Sequence, residues 1–502
     1  MSTGVLRFFS SPLVLAAGVG LLFFCIAPAT INSSIPNDIN TGYYASYGRN
    51  LIRYAPAQTH VMNFDAVGPG TPEALFSPSR YFKYYIDHPM LLTWLAAVAL
   101  KLGAGSLLAA RSVSILSSAG LVALLGMWIS RRLGTYAALV GMMAMLMTRV
   151  FWIHGVVLNF EPLTAFLVFA ALSFFTDGFF GSAGRSSIVL GCLFWFLAML
   201  ADWPAYFLAV PVAWYFARER RWLAMVGSLL IPVWLYMGVM TYYGINTGDP
   251  WLAVHFLIRT FQSEIRVHKS SWTEVAGAVF WNGGYNFGAM PAFAIAGTFV
   301  MCRRGRTESN DRLFMLLALG CVGILNILLF RQWAHDHTFW SYYFLPAIGL
   351  GAAEVASKLK FDGLNWQNAL FTFGIILGFL NLIPVPNNLQ FGVPFRVELP
   401  WHDDVDLLAR SELPYYGQGY IARWYLDRPL IDAGMVISGG LPCRPERSFF
   451  VMRDDEWEQS SSMMKELFAP VKAFHWMVLP IAAGMKSTGL SCEEALKAVS
   501  RS

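Results

Sequence analysis

The sequence predicts an all-α polytopic membrane protein of about eleven transmembrane helices, with interfacial helices in its first external loop and a small α/β domain at the carboxyl end. Three observations carry that expectation. Of 502 residues, 56% are hydrophobic and 15% aromatic but only 13% charged, too apolar a balance for a water-solvated chain of this size. The apolar residues fall in runs of roughly 17 to 25, the length a helix needs to cross a hydrocarbon core. Basic residues gather in short clusters between alternate runs, where membrane topology places them. The net charge of +5 resides largely in those clusters, so it implies no nucleic-acid partner.

The first run, Ser11 to Thr30, follows Arg7 and lacks a small-x-small cleavage site behind it, so it reads as a retained first span. Further spans are expected near 106–130, 135–153, 161–180, 186–201, 203–217, 223–243, 286–302, 312–330, 341–357 and 368–386. With a cytoplasmic amino terminus, every cytoplasmic turn is basic: Arg131 and Arg132, Arg185, then Arg218, Arg220 and Arg221, then Arg303, Arg304 and Arg306, then Lys358 and Lys360. Three segments then lie outside, from Ile31 to about Gly105, from Gly244 to Tyr285, and from Asn387 to Ser502. The expected domains are residues 1–386 in the membrane and 387–502 outside, the latter richer in charge and containing a strand-like stretch from Ser448 to Met452. Six cysteines show no CxxC pair and no zinc spacing, and among them Cys443 and Cys492 are the candidates for pairing.

Chemistry should therefore be sought in the outer segments. Asp38 precedes an amphipathic stretch, Ile39 to Tyr54, in which Tyr43, Tyr47, Leu51 and Tyr54 recur at helical spacing. Its carboxylate suits either an N-cap or a base at the membrane surface. Tyr84-Tyr85-Ile86-Asp87-His88-Pro89 leads into a short apolar stretch read as an interfacial helix starting at Pro89, with His88 near helix-end N–H groups that suit a phosphate oxygen. Glu161 opens the fourth span, where an acid needs either a capping or a functional reason, and Asp202 at the end of the fifth reads as structural. His335-Asp336-His337 resembles half of a metal site but would need further ligands. Arg331, with Arg259, Arg266 and Lys269, offers charge to a lipid-linked phosphate or simply to headgroups.

The order of these features resembles the GT-C superfamily of integral membrane glycosyltransferases, in the branch of protein O-mannosyltransferases and lipid A aminoarabinose transferases. The resemblance runs over roughly residues 10 to 350. It rests on Asp38 followed by Tyr44, Ala45, Arg49 and Asn50; on His88-Pro89-Met90-Leu91 followed by Gly105 to Arg111; on Glu161-Pro162-Leu163; and on His337 with Tyr342, Tyr343 and Pro346. Met90 stands where the family usually has Pro, Glu161 where Asp is commoner, and Asn37-Asp38 lacks the Asp-Glu pair of the aminoarabinose enzymes.

The resemblance implies an inverting transfer of a sugar from a polyprenyl-phosphate donor to a glycolipid acceptor, lipid A or lipopolysaccharide core, at the outer face of a bacterial inner membrane. A uronic acid or aminoarabinose is the implied sugar. Asp38 would be the catalytic base and Glu161 would share its cavity. The implied phosphate-binding set is His88, Arg49, Lys83, Arg259 and Arg331, and the implied substrate cavity includes Tyr43, Asp87, His335, His337 and Tyr342. Some relatives hold a divalent metal and others need none, so no cofactor follows and a metal stays open. Within the class, a protein O-mannosyltransferase is the alternative, although no internal loop is long enough for the trefoil insert common in its eukaryotic members. A membrane transporter is the alternative from another class, against which stands the lack of a visible internal repeat.

Overall fold

The computed structural model describes residues 39–66, 82–84, 86–181, 184–258, 271–303, 306–330 and 339–359, a few isolated positions, and five short strands between 415 and 480. Two compact units divide the chain: residues 1–31, 87–92 and 111–392 form one, and residues 32–86, 93–110 and 393–502 the other. The expected domain boundary at 386/387 lies outside the described residues, as does the expected span 368–386.

In the second unit, helix α1 (Ile39–Arg53) is followed by one turn, α2 (Pro56–Thr59), and a short antiparallel pair, β1 (Phe64–Ala66) with β2 (Phe82–Tyr84). Helix α3 spans Leu91–Leu102, starting two residues beyond the proline expected to open it. Gly48 of α1 lies so close to α3 that an added Cβ would sit 3.0 Å from the Ala97 nitrogen. A residue without a side chain is therefore what lets these two backbones meet. Trp94 Nε1 donates to the Val61 carbonyl over 2.9 Å, and Thr93 bonds to Asn63. The tail contributes a mixed five-stranded sheet: β3 (Tyr415–Gly417) runs parallel to β4 (Leu430–Ile431) and to β5 (Phe449–Arg453), and β5 pairs antiparallel with β7 (Trp476–Pro480), which pairs with β6 (Val471–Ala473). The strand expected near Ser448 to Met452 is β5.

The first unit is a helical bundle. Its helices are α4 (Leu107–Leu133), α5 (Thr135–Leu146), α6 (Arg149–His154), α7 (Phe160–Phe179), α8 (Gly184–Ala201), α9 (Ala209–Arg218), α10 (Trp222–Thr247), α11 (Trp272–Phe287), α12 (Pro291–Arg303), α13 (Arg306–Leu329) and α14 (Leu345–Ala356). Two 3-10 helices, Trp203–Leu208 and Phe339–Phe344, lead into α9 and α14. Among the described residues five helical stretches, in α4, α7, α8, α10 and α13, are 18 to 27 residues long and apolar enough to cross a bilayer. The chain is an integral membrane protein. Several other expected spans are broken into shorter pieces: 135–153 is α5 and α6, and 203–217 is a 3-10 turn plus α9.

One expectation is corrected outright. The segment from Gly244 to Tyr285, expected to connect two spans, holds most of α11, which runs two residues into the span expected at 286–302. The start is fixed by a capping box, in which the Ser271 hydroxyl accepts from the Glu274 N–H and the Glu274 carboxylate reaches back to the Ser271 N–H.

Helices α5, α14 and α12 pack through small residues, as helices do where lipid supplies no hydrophobic drive. An added Cβ on Gly141 of α5 would meet the Gly349 oxygen at 2.8 Å, and one on Gly351 of α14 would meet Ala294 Cα of α12 at 2.5 Å. One end of the bundle is closed by ion pairs. Arg132, over the Trp128 ring at 4.0 Å, bonds Asp177 of α7 and Asp311 of α13, each at 2.6 Å, and Arg312 bonds the fully buried Glu354. The opposite ends of α7 and α8 carry Glu161 and Asp202.

Candidate functional site

The site is built where four segments of the bundle meet. Asn159 caps α7, its side-chain oxygen accepting from the Phe160 N–H, and this fixes Phe160 and Glu161 in the first turn. Asp202 caps the 3-10 helix Trp203–Leu208, its Oδ1 accepting from the Trp203 N–H at 2.8 Å. The same oxygen lies 2.8 Å from His88 Nδ1. Its other oxygen, Oδ2, accepts from the Tyr343 hydroxyl at 2.7 Å. Asp202 is thus the centre of the cluster, 3% exposed, joining residues far apart in sequence.

His88 is held from three sides. Its ring stacks on Phe160 with centroids 4.2 Å apart and planes 13° from parallel. Its carbonyl accepts from the Tyr243 hydroxyl of α10 at 3.1 Å, and the carbonyl of Asp87 accepts from Trp203 Nε1. The side chain keeps 28% of its surface accessible while that of Asp202 keeps 5%, so the pair presents its imidazole and hides its carboxylate.

Glu161 is 4% exposed and lies within electrostatic reach of Asp202, Tyr342 and Tyr343. Its Oε2 finds no hydrogen-bond partner among the described residues. A buried carboxylate oxygen left unpaired is costly, and such atoms concentrate where a ligand completes the site. Tyr342 is fully buried. Ser118 Oγ donates to the Gly155 carbonyl at 3.0 Å, so its single proton is committed and the Tyr342 hydroxyl donates to it over 2.7 Å. Asn286 of α11 donates to Ser341 at 2.9 Å, so the 3-10 turn that presents Tyr343 is anchored on both sides.

Of the residues expected from sequence, His88, Asp87, Glu161 and Tyr342 fall in this one unit, and His88 and Glu161 are joined through Phe160 and Asp202. Arg49 and Tyr43 lie on α1 and Lys83 on β2, in the other unit. Asp38, Arg259, Arg331, His335 and His337 lie outside the described residues. Among the described residues no group of three or more His, Cys, Asp or Glu side chains is placed to hold a metal. Sequence reasoning took Asp202 as structural. It does cap a helix, and it also anchors His88 and Tyr343.

No family model matches the chain, and no curated protein matches it in sequence. Solved structures do match. ArnT from Cupriavidus metallidurans bound to undecaprenyl phosphate has a TM-score of 0.54 at 14% identity, over 91% of this chain and 97% of that one. Its apo form gives 0.51 at 14% identity, over 89% and 94%. The archaeal oligosaccharyltransferase AglB from Archaeoglobus fulgidus, in complex with an inhibitory peptide and a dolichol-phosphate, gives 0.52 at 13% identity, over 86% of this chain and 65% of that one. The chain shares the fold of ArnT and AglB. The GT-C likeness extends well beyond the roughly 350 residues that carried the sequence resemblance, since most of the chain aligns.

Proposed function

We propose that the chain is an inverting glycosyltransferase that moves a sugar from a polyprenyl-phosphate carrier to an envelope glycolipid at the outer face of a bacterial inner membrane. The observation that carries this reading is the His88–Asp202 pair, an accessible imidazole backed by a buried carboxylate, set beside the unsatisfied Glu161. When protonated, an imidazole so held directs its second N–H as a fixed donor to a phosphate oxygen, and the structures that this chain resembles were solved with undecaprenyl phosphate and with dolichol-phosphate. The sequence resemblance to the lipid A aminoarabinose transferases supports a glycolipid acceptor such as lipid A or lipopolysaccharide core.

In the reaction the acceptor hydroxyl oxygen attacks the anomeric carbon as the bond from that carbon to the phosphate oxygen breaks. The electron pair leaves with the polyprenyl phosphate, and attack from the opposite face inverts the configuration. Asp38 takes the acceptor proton, and His88 stabilises the charge growing on the departing phosphate. The sequence resemblance adds Arg49, Lys83, Arg259 and Arg331 as phosphate-binding candidates, and Tyr43, Asp87, His335, His337 and Tyr342 as substrate-binding candidates. The membrane domain is residues 1–386 and the external domain 387–502.

The test compares envelope glycolipids by mass spectrometry in cells with the wild-type chain, with Asp38→Asn and with none. The wild type should add one sugar mass that is missing in both others, while Asp38→Asn still accumulates as folded protein and binds carrier lipid. Full transfer by Asp38→Asn would remove the proposed base, and an unchanged profile without the protein would remove the acceptor class.

A further inference from the structure

We propose that Asp202 is the positioning residue of this site, its buried carboxylate orienting the His88 imidazole toward the carrier phosphate and standing as the counter-charge to its protonated ring. The inference rests on the transferase reading and adds to it the source of the charge that binds the phosphate. The geometry is specific. One carboxylate oxygen serves both the Trp203 N–H and His88 Nδ1 at 2.8 Å each, and the other is tied to the Tyr343 hydroxyl at 2.7 Å. Neither oxygen can rotate without breaking a contact. With Nδ1–H committed to Asp202, the ring's second nitrogen is set on the far side, and stacking on Phe160 fixes the ring plane. The segment behind the ring is pinned through the carbonyls of Asp87 and His88. A carboxylate 5% accessible needs a cation, and among the described residues its ion pair is with His88.

The competing role is the cap that Asp202 forms on the 3-10 helix. Asparagine separates the two. It caps as well as aspartate does and keeps an oxygen for the Trp203 N–H and for His88. Tyr343 can turn its hydroxyl to accept from the new amide N–H. Asp202→Asn therefore keeps the shape and removes the charge. Among the described residues, the other titratable groups around His88 are Asp87 beside it, Glu161 on α7, Tyr243 on α10, Tyr206 and Tyr236 around Trp203, and Tyr343; all are unchanged by the substitution.

The experiment measures binding of a short-chain polyprenyl phosphate to the purified full-length chain across pH, for wild type, Asp202→Asn, His88→Lys and the double variant. Asp202→Asn should bind about tenfold more weakly at neutral pH and regain affinity as the pH falls, with an unchanged unfolding temperature, because the substitution removes the negative charge that faces the protonated ring. In the His88→Lys background the same substitution should cost less than about twofold, since an ammonium stays charged without a partner. Equal losses in both backgrounds, or a wild-type pH profile in Asp202→Asn, would overturn the role given to Asp202. If Asp202→Asn folds poorly, Asp202→Ser, which also caps, should show the same displaced profile or the inference fails. A wild type that binds no polyprenyl phosphate at any pH would sink the transferase reading itself, and this inference with it.

Discussion

Glu161 is the residue whose burial is hardest to justify by structure alone. Capping of α7 is done by Asn159, so the acid is not needed there, and its Oε2 has no partner among the described residues. Desolvating a carboxylate costs several kcal/mol unless something meets it. Glu161→Gln keeps the shape and deletes the charge. Sugar transfer should fall about a hundredfold, in the range lost when an acid–base group is removed, while thermal stability holds or rises. Undiminished transfer together with a lower unfolding temperature would make Glu161 a structural residue. Glu161 was legible in the sequence because an acid at membrane depth stands out in an apolar run. Asp202 was visible for the same reason, but its role was not. Its partners His88 and Tyr343 lie more than a hundred residues away on either side, 114 and 141 positions, and only the packing of the bundle brings them together.

Among the elements, long apolar helices were legible and interrupted ones were not. Helix α7 was expected at 161–180 and spans Phe160–Phe179, because nothing within it competes with a single apolar run. Helix α11 was missed because Asn282 and Asn286 break its hydropathy, although Ser271-Trp272-Thr273-Glu274 carried a start signal. Asn286 explains itself in the structure as the anchor of Ser341. Between α13 and α14 the decisive contact is ionic. Glu354 is fully buried and Arg312 nearly so, and they bond directly. Arg312→Met strands the carboxylate and should destabilise the protein by about 3–5 kcal/mol, whereas Arg312→Met with Glu354→Leu should recover most of that loss. Denaturation in detergent reads both. A double variant no better than the single one would mean that the pair supplies more than mutual neutralisation.

For the whole molecule, the orientation in the membrane decides what the site can use. The basic last turns of α4, α9 and α12, which hold Arg131 and Arg132, Arg218, and Arg303, alternate along the chain with the ends that carry Glu161 and Asp202. Arg132 also draws the end of α7 and the start of α13 to the side of the basic last turn of α4. That much was legible, because charge at span ends follows from membrane physics. The compact unit that joins residues 32–86 and 93–110 with 393–502 was not, since no local pattern announces contacts between such distant segments. If the basic side is cytoplasmic, His88, Glu161 and Asp202 face outward, where soluble nucleotide-sugars are absent and a sugar must arrive on a lipid. Alkaline phosphatase fused after Ser502 should then be active, and fused after Arg132 or Arg220 it should be inactive, with green fluorescent protein giving the reverse pattern. The opposite result would turn the site toward the cytoplasm, where a nucleotide-sugar could reach it, and the argument for a lipid-linked donor would lose its physical basis.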